Sequence, residues 1–189
     1  MKQRICRFLW LLPAAMLVLF DQWTKHIAKT SLSQPKVLIS NVLELTYTEN
    51  TGAAWSMLAG KQTLLIVITA IMLGVVVWAL IKGPWQHPLL QSAEMLLIAG
   101  GFGNLIDRIF CDYVVDFIYV SAIHFPVFNA ADCFVCIGAA LGIVYVLFFE
   151  KGDLRGDNPS AAVDNGGGTT GQNGGTEPQR DESDSTKMD

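Results

Sequence analysis

Four long apolar blocks constrain what this chain can fold into. Residues 8–20 are free of charge, and the run extends through residue 23 if Asp21 is tolerated within it. Residues 64–81 hold no charge at all, and they reach the length of about 18 residues that marks a spanning helix. Residues 88–106 and 128–149 are interrupted by only a few polar side chains. Because 51% of the 189 residues are hydrophobic, we predict a membrane all-α protein with four transmembrane helices.

The first block follows a basic start that resembles the opening of a signal peptide. Lys2, Arg4 and Arg7 precede it, but no small-residue cleavage pattern comes after it. We therefore predict an uncleaved first helix. Four spans place both termini on one side of the membrane, and the distribution of Lys and Arg leans toward a cytoplasmic location for them.

This topology brings distant polar residues to one membrane face. Residues 25–63 and 107–127 both lie opposite the termini. The polar groups expected to meet there are Asp21, Asn50, Asn104, Arg108, Asp116, Asn129 and Asp132.

The segment after the first helix has the alternation of a β-structure. Residues 36–48 are rich in β-branched and aromatic residues, which predicts one or two short strands. Asn50-Thr-Gly52 follows as a turn, and Trp55 suits a membrane interface. We predict a small amphipathic platform over about residues 36–60, lying on the bilayer between the first two helices.

The C-terminal residues 152–189 differ in composition from the rest. They are rich in Gly, Ser, Thr and Asp, and they carry eight acidic and three basic residues. They therefore carry a charge of −5 against −4 for the whole chain, so the rest of the chain is near neutral. A segment with so few large apolar residues cannot offset its ordering entropy, so we predict a disordered tail after a four-helix membrane domain of residues 1–151.

Cysteine and histidine do not point to a metal or a disulfide framework. Cys133 and Cys136 form a C-x-x-C inside the fourth apolar block, where buried packing residues are expected. The three histidines have no ligand spacing, so we expect no catalytic zinc.

Two aspartates beside the apolar blocks carry the chemical argument. Asp116 lies between the third and fourth blocks, and Asp132 lies about one turn into the fourth. Two carboxyl groups held close together cannot both ionise cheaply, so they share a proton and can activate water. The alternative is that each aspartate is a cap at the membrane edge, paired with Arg108 or Lys25.

Several neighbouring residues could support such a pair. Arg108 could hold a carboxylate, a phosphate or a peptide carbonyl, or it could reach lipid headgroups. Asn104 and Asn129 could orient a carboxylate or join helices. Gly100, with the neighbouring glycines, predicts close helix packing.

Five segments in order carry a family resemblance. They are Asp21-Gln-Trp-Thr-Lys25, Asn50-Thr-Gly-Ala-Ala-Trp55, Gly100-Gly-Phe-Gly-Asn-Leu-Ile-Asp-Arg108, Val114-Val-Asp-Phe117 and Phe128-Asn-Ala-Ala-Asp132. With these segments the sequence closely resembles the bacterial lipoprotein signal peptidases, also called signal peptidase II, over roughly residues 5–150.

The resemblance implies a function for the matching positions. Asp116 and Asp132 match the catalytic aspartates of the family. Binding or supporting roles fall to Asp21, Lys25, Asn50, Gly52, Asn104, Arg108 and Asn129. The resemblance further implies cleavage of prolipoproteins before a cysteine that carries diacylglycerol, without a metal or cofactor. It also implies a location in the bacterial inner membrane, with the site on the outer, periplasmic face.

Two positions depart from the family pattern. Trp55 stands where the family more often has Phe, and Glu49 stands where a basic or neutral residue is expected. Glu49 could change how the platform meets headgroups and which substrates are preferred.

Two other functions compete with the peptidase. A proton-coupled carrier would use the same aspartates as a relay, and a scaffold would tolerate the loss of either. We predict a monomeric aspartic endopeptidase whose partners are lipidated prolipoproteins and membrane lipids, with no nucleic acid involved.

Overall fold

The computed structural model describes residues 9–53, 57–83 and 87–149. Within these ranges the chain forms four long helices and a small sheet. The helices are α1 (Leu11–Ser31), α2 (Gln62–Lys82), α3 (Pro88–Cys111) and α4 (Ala130–Phe148). The strands are β1 (Lys36–Ile39), β2 (Leu43–Asn50) and β3 (Val114–Tyr119), and a 3-10 turn spans Ser121–Ile123.

Three of the predicted membrane helices are confirmed by length and composition. Helices α2, α3 and α4 are long and apolar enough to cross a membrane. Helix α1 has the same 21-residue length as α2, but it carries Asp21, Lys25 and Lys29, and its crossing of the membrane stays a prediction. The predicted tail and Trp55 lie outside the described residues.

Helix α3 is the centre of the bundle, because it packs against each of the other three helices. Its Ile98 and Ala99 form a buried cluster with Ala14 of α1 and Leu80 of α2. Many large side chains on the outer face of α2 are exposed, among them Ile71, Met72 and Trp78. An apolar outer face of this kind suits lipid rather than water as the surrounding solvent.

Two helices run further than the apolar blocks predicted. Helix α3 continues past residue 106 to Cys111, and α1 continues past residue 23 to Ser31. The extra turns carry Asp107 and Lys25, which are buried against each other in the bundle. Because these charges are paired with each other, they can lie within the helices instead of marking their ends. Hydropathy therefore underestimated the lengths of both helices.

The sheet has three antiparallel strands in the order β1-β2-β3. The prediction of one or two short strands for the platform is confirmed by β1 and β2, but the platform is not confined to the segment between the first two helices. Strand β3, which the sequence analysis missed, follows α3 and pairs Asp116 with Thr48 of β2. An isolated antiparallel β-bridge joins Ile118 to Phe128, which lies just before α4.

We expect Gly100→Ala to lower the thermal unfolding temperature in detergent by several degrees. A Cβ at this position would clash with the carbonyl oxygen of Ala131 and lie 2.7 Å from Val135 Cγ2. Overpacking of this kind costs about 1–3 kcal/mol.

Gly74→Ala is the matched control, because a Cβ there meets nothing within 4 Å. Alanine favours a helix over glycine by about 1 kcal/mol, so this variant should unfold at the same or a higher temperature. Equal unfolding temperatures for the two variants would contradict the packing of α3 on α4.

Candidate active site

Strand β3 delivers Asp116 to a buried position that two amides hold. The residue is only 2% exposed. Its Oδ2 accepts a hydrogen bond from Asn50 Nδ2 at 2.9 Å, and its Oδ1 accepts one from Asn129 Nδ2 at 2.7 Å. Burial, joined by the nearby charge of Asp132, raises the pKa of Asp116 to about 6, although the two amide hydrogen bonds act in the opposite direction.

The first turn of α4 places Asp132 beside it. Asn129 is the N-cap and accepts a hydrogen bond from the Asp132 backbone N–H at 3.0 Å, while Asp132 Oδ2 accepts one from the Asn129 backbone N–H at 3.1 Å. This reciprocal arrangement is a capping box. The other oxygen, Oδ1, accepts a hydrogen bond from Asn104 Nδ2 at 2.8 Å. The unpaired N–H groups of a helix N-terminus favour a negative charge at this position.

Asn129 connects the two aspartates. It is fully buried, and it donates from its side chain to Asp116 and from its backbone to Asp132. Its Nδ2 also lies 3.2 Å from Asn104 Oδ1. The two carboxyl groups are therefore fixed by one residue.

Both aspartates line a single cavity of about 690 Å³. Most of its wall is apolar and comes from Val114, Phe125, Pro126, Val127, Phe128 and Val135. The polar part of the wall includes Asn50, Asn104 and Arg108. A mostly apolar cavity of this kind can bind an apolar chain, and the two acids at its edge can act on a polar bond of that chain.

A buried ion cluster supports this arrangement from α1. Lys25 Nζ lies 2.8 Å from Asp21 Oδ2 and 3.0 Å from Asp107 Oδ2. Asp21 Oδ1 accepts a hydrogen bond from the backbone N–H of Ala131 at 2.9 Å, which ties α1 to the start of α4. Among the described residues, the ion pairs of Lys25 go to these two carboxylates, and the alternative in which it pairs with Asp116 or Asp132 is wrong.

Arg108 binds backbone carbonyls rather than a carboxylate. Its Nη2 donates to Gly52 O at 3.0 Å, and its Nη1 donates to Asn104 O at 3.2 Å. The side chain is buried, so the alternative that it reaches lipid headgroups is wrong. Gly52 in turn donates from its N–H to Asn50 Oδ1 at 2.9 Å. The platform turn is thereby fixed to α3 and to the residue that holds Asp116.

One expectation about other side chains needs correction. Cys133 and Cys136 are not buried packing residues, because the first is half-buried, the second is exposed, and both line the cavity. The cavity follows the face of α4 that begins at Asp132, and this face includes both thiols. Glu49 pairs with Val115 in the sheet, accepts a hydrogen bond from the Tyr47 hydroxyl at 2.7 Å and also lines the cavity. Its effect on headgroup contact and substrate preference stays a prediction.

Sequence reasoning missed two residues of the cluster, Gln22 and Asp107. Gln22 Nε2 donates to Asp107 Oδ1 at 2.9 Å and to Gly103 O at 3.1 Å. Asp107 Oδ2 also accepts a hydrogen bond from the backbone N–H of Val115 at 3.2 Å. The available signal was helical spacing, since Asp107 lies three residues after Asn104 and therefore on the same helix face.

Comparison with known proteins places this geometry in a family. The family profile described as Signal peptidase (SPase) II matches residues 13–148. This chain belongs to the signal peptidase II family. The resemblance that the five sequence segments indicated is thus confirmed, and membership indicates a peptidase.

Individual relatives agree over most of the chain. Lipoprotein signal peptidase of Enterococcus faecalis is 37% identical over 151 residues, which cover 79% of this chain and 94% of that protein. The protein of the same name from Streptococcus thermophilus is 37% identical over 144 residues, covering 74% and 94% of the two chains.

Solved structures give the same result. One is described as a bacterial membrane enzyme determined by the in meso method at 2.3 Å resolution. It is 39% identical, with a TM-score of 0.68, and the match covers 73% of this chain and 87% of that one. A second, determined by the same method at 1.9 Å, is also 39% identical, with a TM-score of 0.66 and coverage of 75% and 93%.

Asp116→Asn should stabilise the protein more at pH 8 than at pH 5. The pKa of Asp116 is about 6 in the fold against an ordinary value of 3.8, so the folded state binds this proton more tightly. The stability that the fold gains from binding this proton is fully present below about pH 4 and is lost as the pH rises through 6. An asparagine removes this loss.

The measurement compares the unfolding temperatures of wild type and variant in detergent at both pH values. The advantage of the variant should grow by about 1 kcal/mol between pH 5 and pH 8. A gap that is the same at both pH values would show that Asp116 is not held in an environment that favours its neutral form.

Proposed function

We propose that this chain is a membrane-embedded aspartic endopeptidase. It removes signal peptides from diacylglyceryl-modified prolipoproteins by cleaving before the lipidated cysteine. The observation that carries the proposal is that Asp116 and Asp132 line one cavity and are joined through Asn129. The relatives named lipoprotein signal peptidase support the substrate class.

The two aspartates differ in environment, and this supports different roles. Asp116 lies in a buried strand with a raised pKa of about 6, which suits the acid that holds the proton. Asp132 lies at a helix N-terminus and accepts two hydrogen bonds, which suits the ionised base. Lys25 is ion-paired with Asp21 and Asp107 rather than with the proposed catalytic pair. Two neighbouring carboxyl groups cannot both ionise cheaply, so the proposed pair shares one proton.

The reaction proceeds through a tetrahedral intermediate. Asp132 takes a proton from the water as its oxygen attacks the scissile carbonyl carbon, and Asp116 gives its proton to the carbonyl oxygen. The proton on Asp132 then passes to the leaving nitrogen as the C–N bond breaks. Asp116 recovers its proton from the hydroxyl of the new acid, and both groups return to their starting state.

The surroundings of the cavity support a lipid-linked substrate. Its apolar wall suits the hydrophobic part of a signal peptide. The outward side chains of β1, including Val37, Leu38 and Ile39, are exposed and apolar, as a surface resting on lipid would be. We infer that the substrate enters sideways from the bilayer with its acyl chains in hydrocarbon, while the platform near Asn50 clamps the peptide.

The same proposal includes a location and an assembly state. The enzyme lies in the bacterial cytoplasmic membrane, with both termini in the cytoplasm and the cavity at the outer face. One chain supplies both aspartates and their supporting amides, so a monomer suffices. Family membership favours this peptidase over the proton-coupled carrier.

Asp116→Asn and Asp132→Asn should each reduce cleavage of a diacylglyceryl-modified prolipoprotein by at least about 100-fold, because an amide can neither take nor give the required proton. Purified full-length protein in detergent is incubated with the substrate, and the products are separated on a gel. Wild type should cleave the lipidated substrate and leave the unmodified one intact.

Asp112→Asn is the matched control. Asp112 is exposed at the end of α3 and outside the cavity wall, so this variant should cleave at the wild-type rate. Cleavage at the normal rate by Asp116→Asn or Asp132→Asn would refute the assignment of these two residues as catalytic. A folded but inactive wild type would argue for the carrier or scaffold.

The pH dependence of cleavage should follow the proton on Asp116. With the pKa of that group at about 6, kcat/KM should fall about tenfold per pH unit above this value as the acid is lost. Initial rates at low substrate concentration between pH 5 and pH 9 measure the profile. A flat profile across this range would exclude Asp116 as the proton donor.

A further inference from the structure

The ammonium group of Lys25 is linked by hydrogen bonds to both aspartates of the proposed catalytic dyad, Asp116 and Asp132, through intervening residues. The residue is 2% exposed. Its Nζ lies 2.8 Å from Asp21 Oδ2 and 3.0 Å from Asp107 Oδ2, and it donates to Asn104 Oδ1 at 2.9 Å. Three acceptors match the three N–H donors of an ammonium group. The asparagine contact adds nothing to charge neutralisation, so Lys25 does more than compensate the two carboxylates.

One branch from Lys25 sets the orientation of the Asn104 amide. An ammonium group can only donate, so Asn104 must present its oxygen to Lys25. The amide nitrogen is then directed away, and it donates to Asp132 Oδ1 at 2.8 Å. The reversed amide would place an oxygen against the carboxylate and a nitrogen against the ammonium, and both contacts would be repulsive.

A second branch runs through Asp107 to the strand that carries Asp116. Asp107 Oδ2 contacts Lys25 and also accepts the backbone N–H of Val115 at 3.2 Å. Val115 immediately precedes Asp116 in β3. Gln22 Nε2 holds the other oxygen of Asp107 at 2.9 Å. The carboxylate is therefore fixed at both oxygens, and so is the backbone next to Asp116.

We propose that Lys25 is a positioning residue that fixes the two aspartates relative to each other. It acts on Asp132 through Asn104 and on Asp116 through Asp107 and Val115. The proposal rests on the proposed function, since it assigns to Lys25 the geometry of that same dyad. Catalysis needs such fixed distances, because misplacement of a reacting group by about 1 Å can reduce the rate about 100-fold.

The competing role is charge neutralisation alone. Lys25 is ion-paired with both Asp21 and Asp107, so the single variant Lys25→Met leaves one more uncompensated buried negative charge and is expected to unfold whichever role is correct. Charge-matched double variants separate the two roles. Lys25→Met with Asp107→Asn and Lys25→Met with Asp21→Asn both keep the net charge of the cluster unchanged, because each removes one positive and one negative charge.

Each double variant also keeps a backbone contact. The amide oxygen introduced by Asp107→Asn can still accept the N–H of Val115, and the one introduced by Asp21→Asn can still accept that of Ala131. What both variants lose is the ammonium group that orients Asn104. If Lys25 only neutralises charge, both doubles should recover wild-type turnover together with the fold.

We expect both double variants to fold but to turn over slowly. In full-length protein in detergent, kcat for the lipidated prolipoprotein should fall by about 100-fold. KM should stay within about threefold, because substrate contacts are unchanged. A residue that acts only on folding would leave kcat at the wild-type value in any variant that folds.

Other outcomes would overturn the proposal. Wild-type kcat in either double variant would show that neutralisation is the whole role of Lys25. Failure of both doubles to fold, seen as lost thermal transitions, would make Lys25 a folding residue instead. Failure of the proposed function is distinguishable, because wild type itself would then cleave nothing, and the assignment to Lys25 would fall with it.

Discussion

The mutual pairing of buried charges at one end of an apolar bundle is the constraint on which this structure depends. A single charge in such a place is expensive, but Lys25, Asp21 and Asp107 come from two helices and satisfy one another. Their contacts join α1 to α3, and Asp21 continues the connection to the backbone of Ala131 in α4. The polar end of the bundle is consequently a rigid base on which a sheet and a cavity can be built.

Asparagine transmits this rigidity to the acids. A carboxylate only accepts hydrogen bonds and an ammonium only donates, so an amide placed between them has one satisfactory orientation. Asn104 stands between Lys25 and Asp132 in this way, and Asn129 donates to Asp116 while it caps α4. The amides hold the acids without adding charge, so the dyad keeps the freedom to bind or release a proton.

Sequence reasoning predicted the parts of the fold that hydropathy controls and missed those that depend on tertiary pairing. The second and fourth apolar blocks lie within two residues of α2 and α4 at each end. Strand β3 escaped because its residues were assigned to a motif, although Val114, Val115 and Ile118 are typical of a strand. The contacts of Lys25 were beyond reach, since its charge alone does not show which of several nearby carboxylates it binds.

The two aspartates lie in different environments because different elements carry them. A strand offers its side chains no net dipole, so burial dominates at Asp116 and favours the neutral acid. A helix N-terminus offers unpaired N–H groups, so Asp132 is placed where a carboxylate is favoured. Two chemically identical residues thereby differ in environment, which is the asymmetry that the proposed acid and base roles require. This asymmetry requires the strand end and the helix start to meet, and Asn129 secures that meeting because it contacts both.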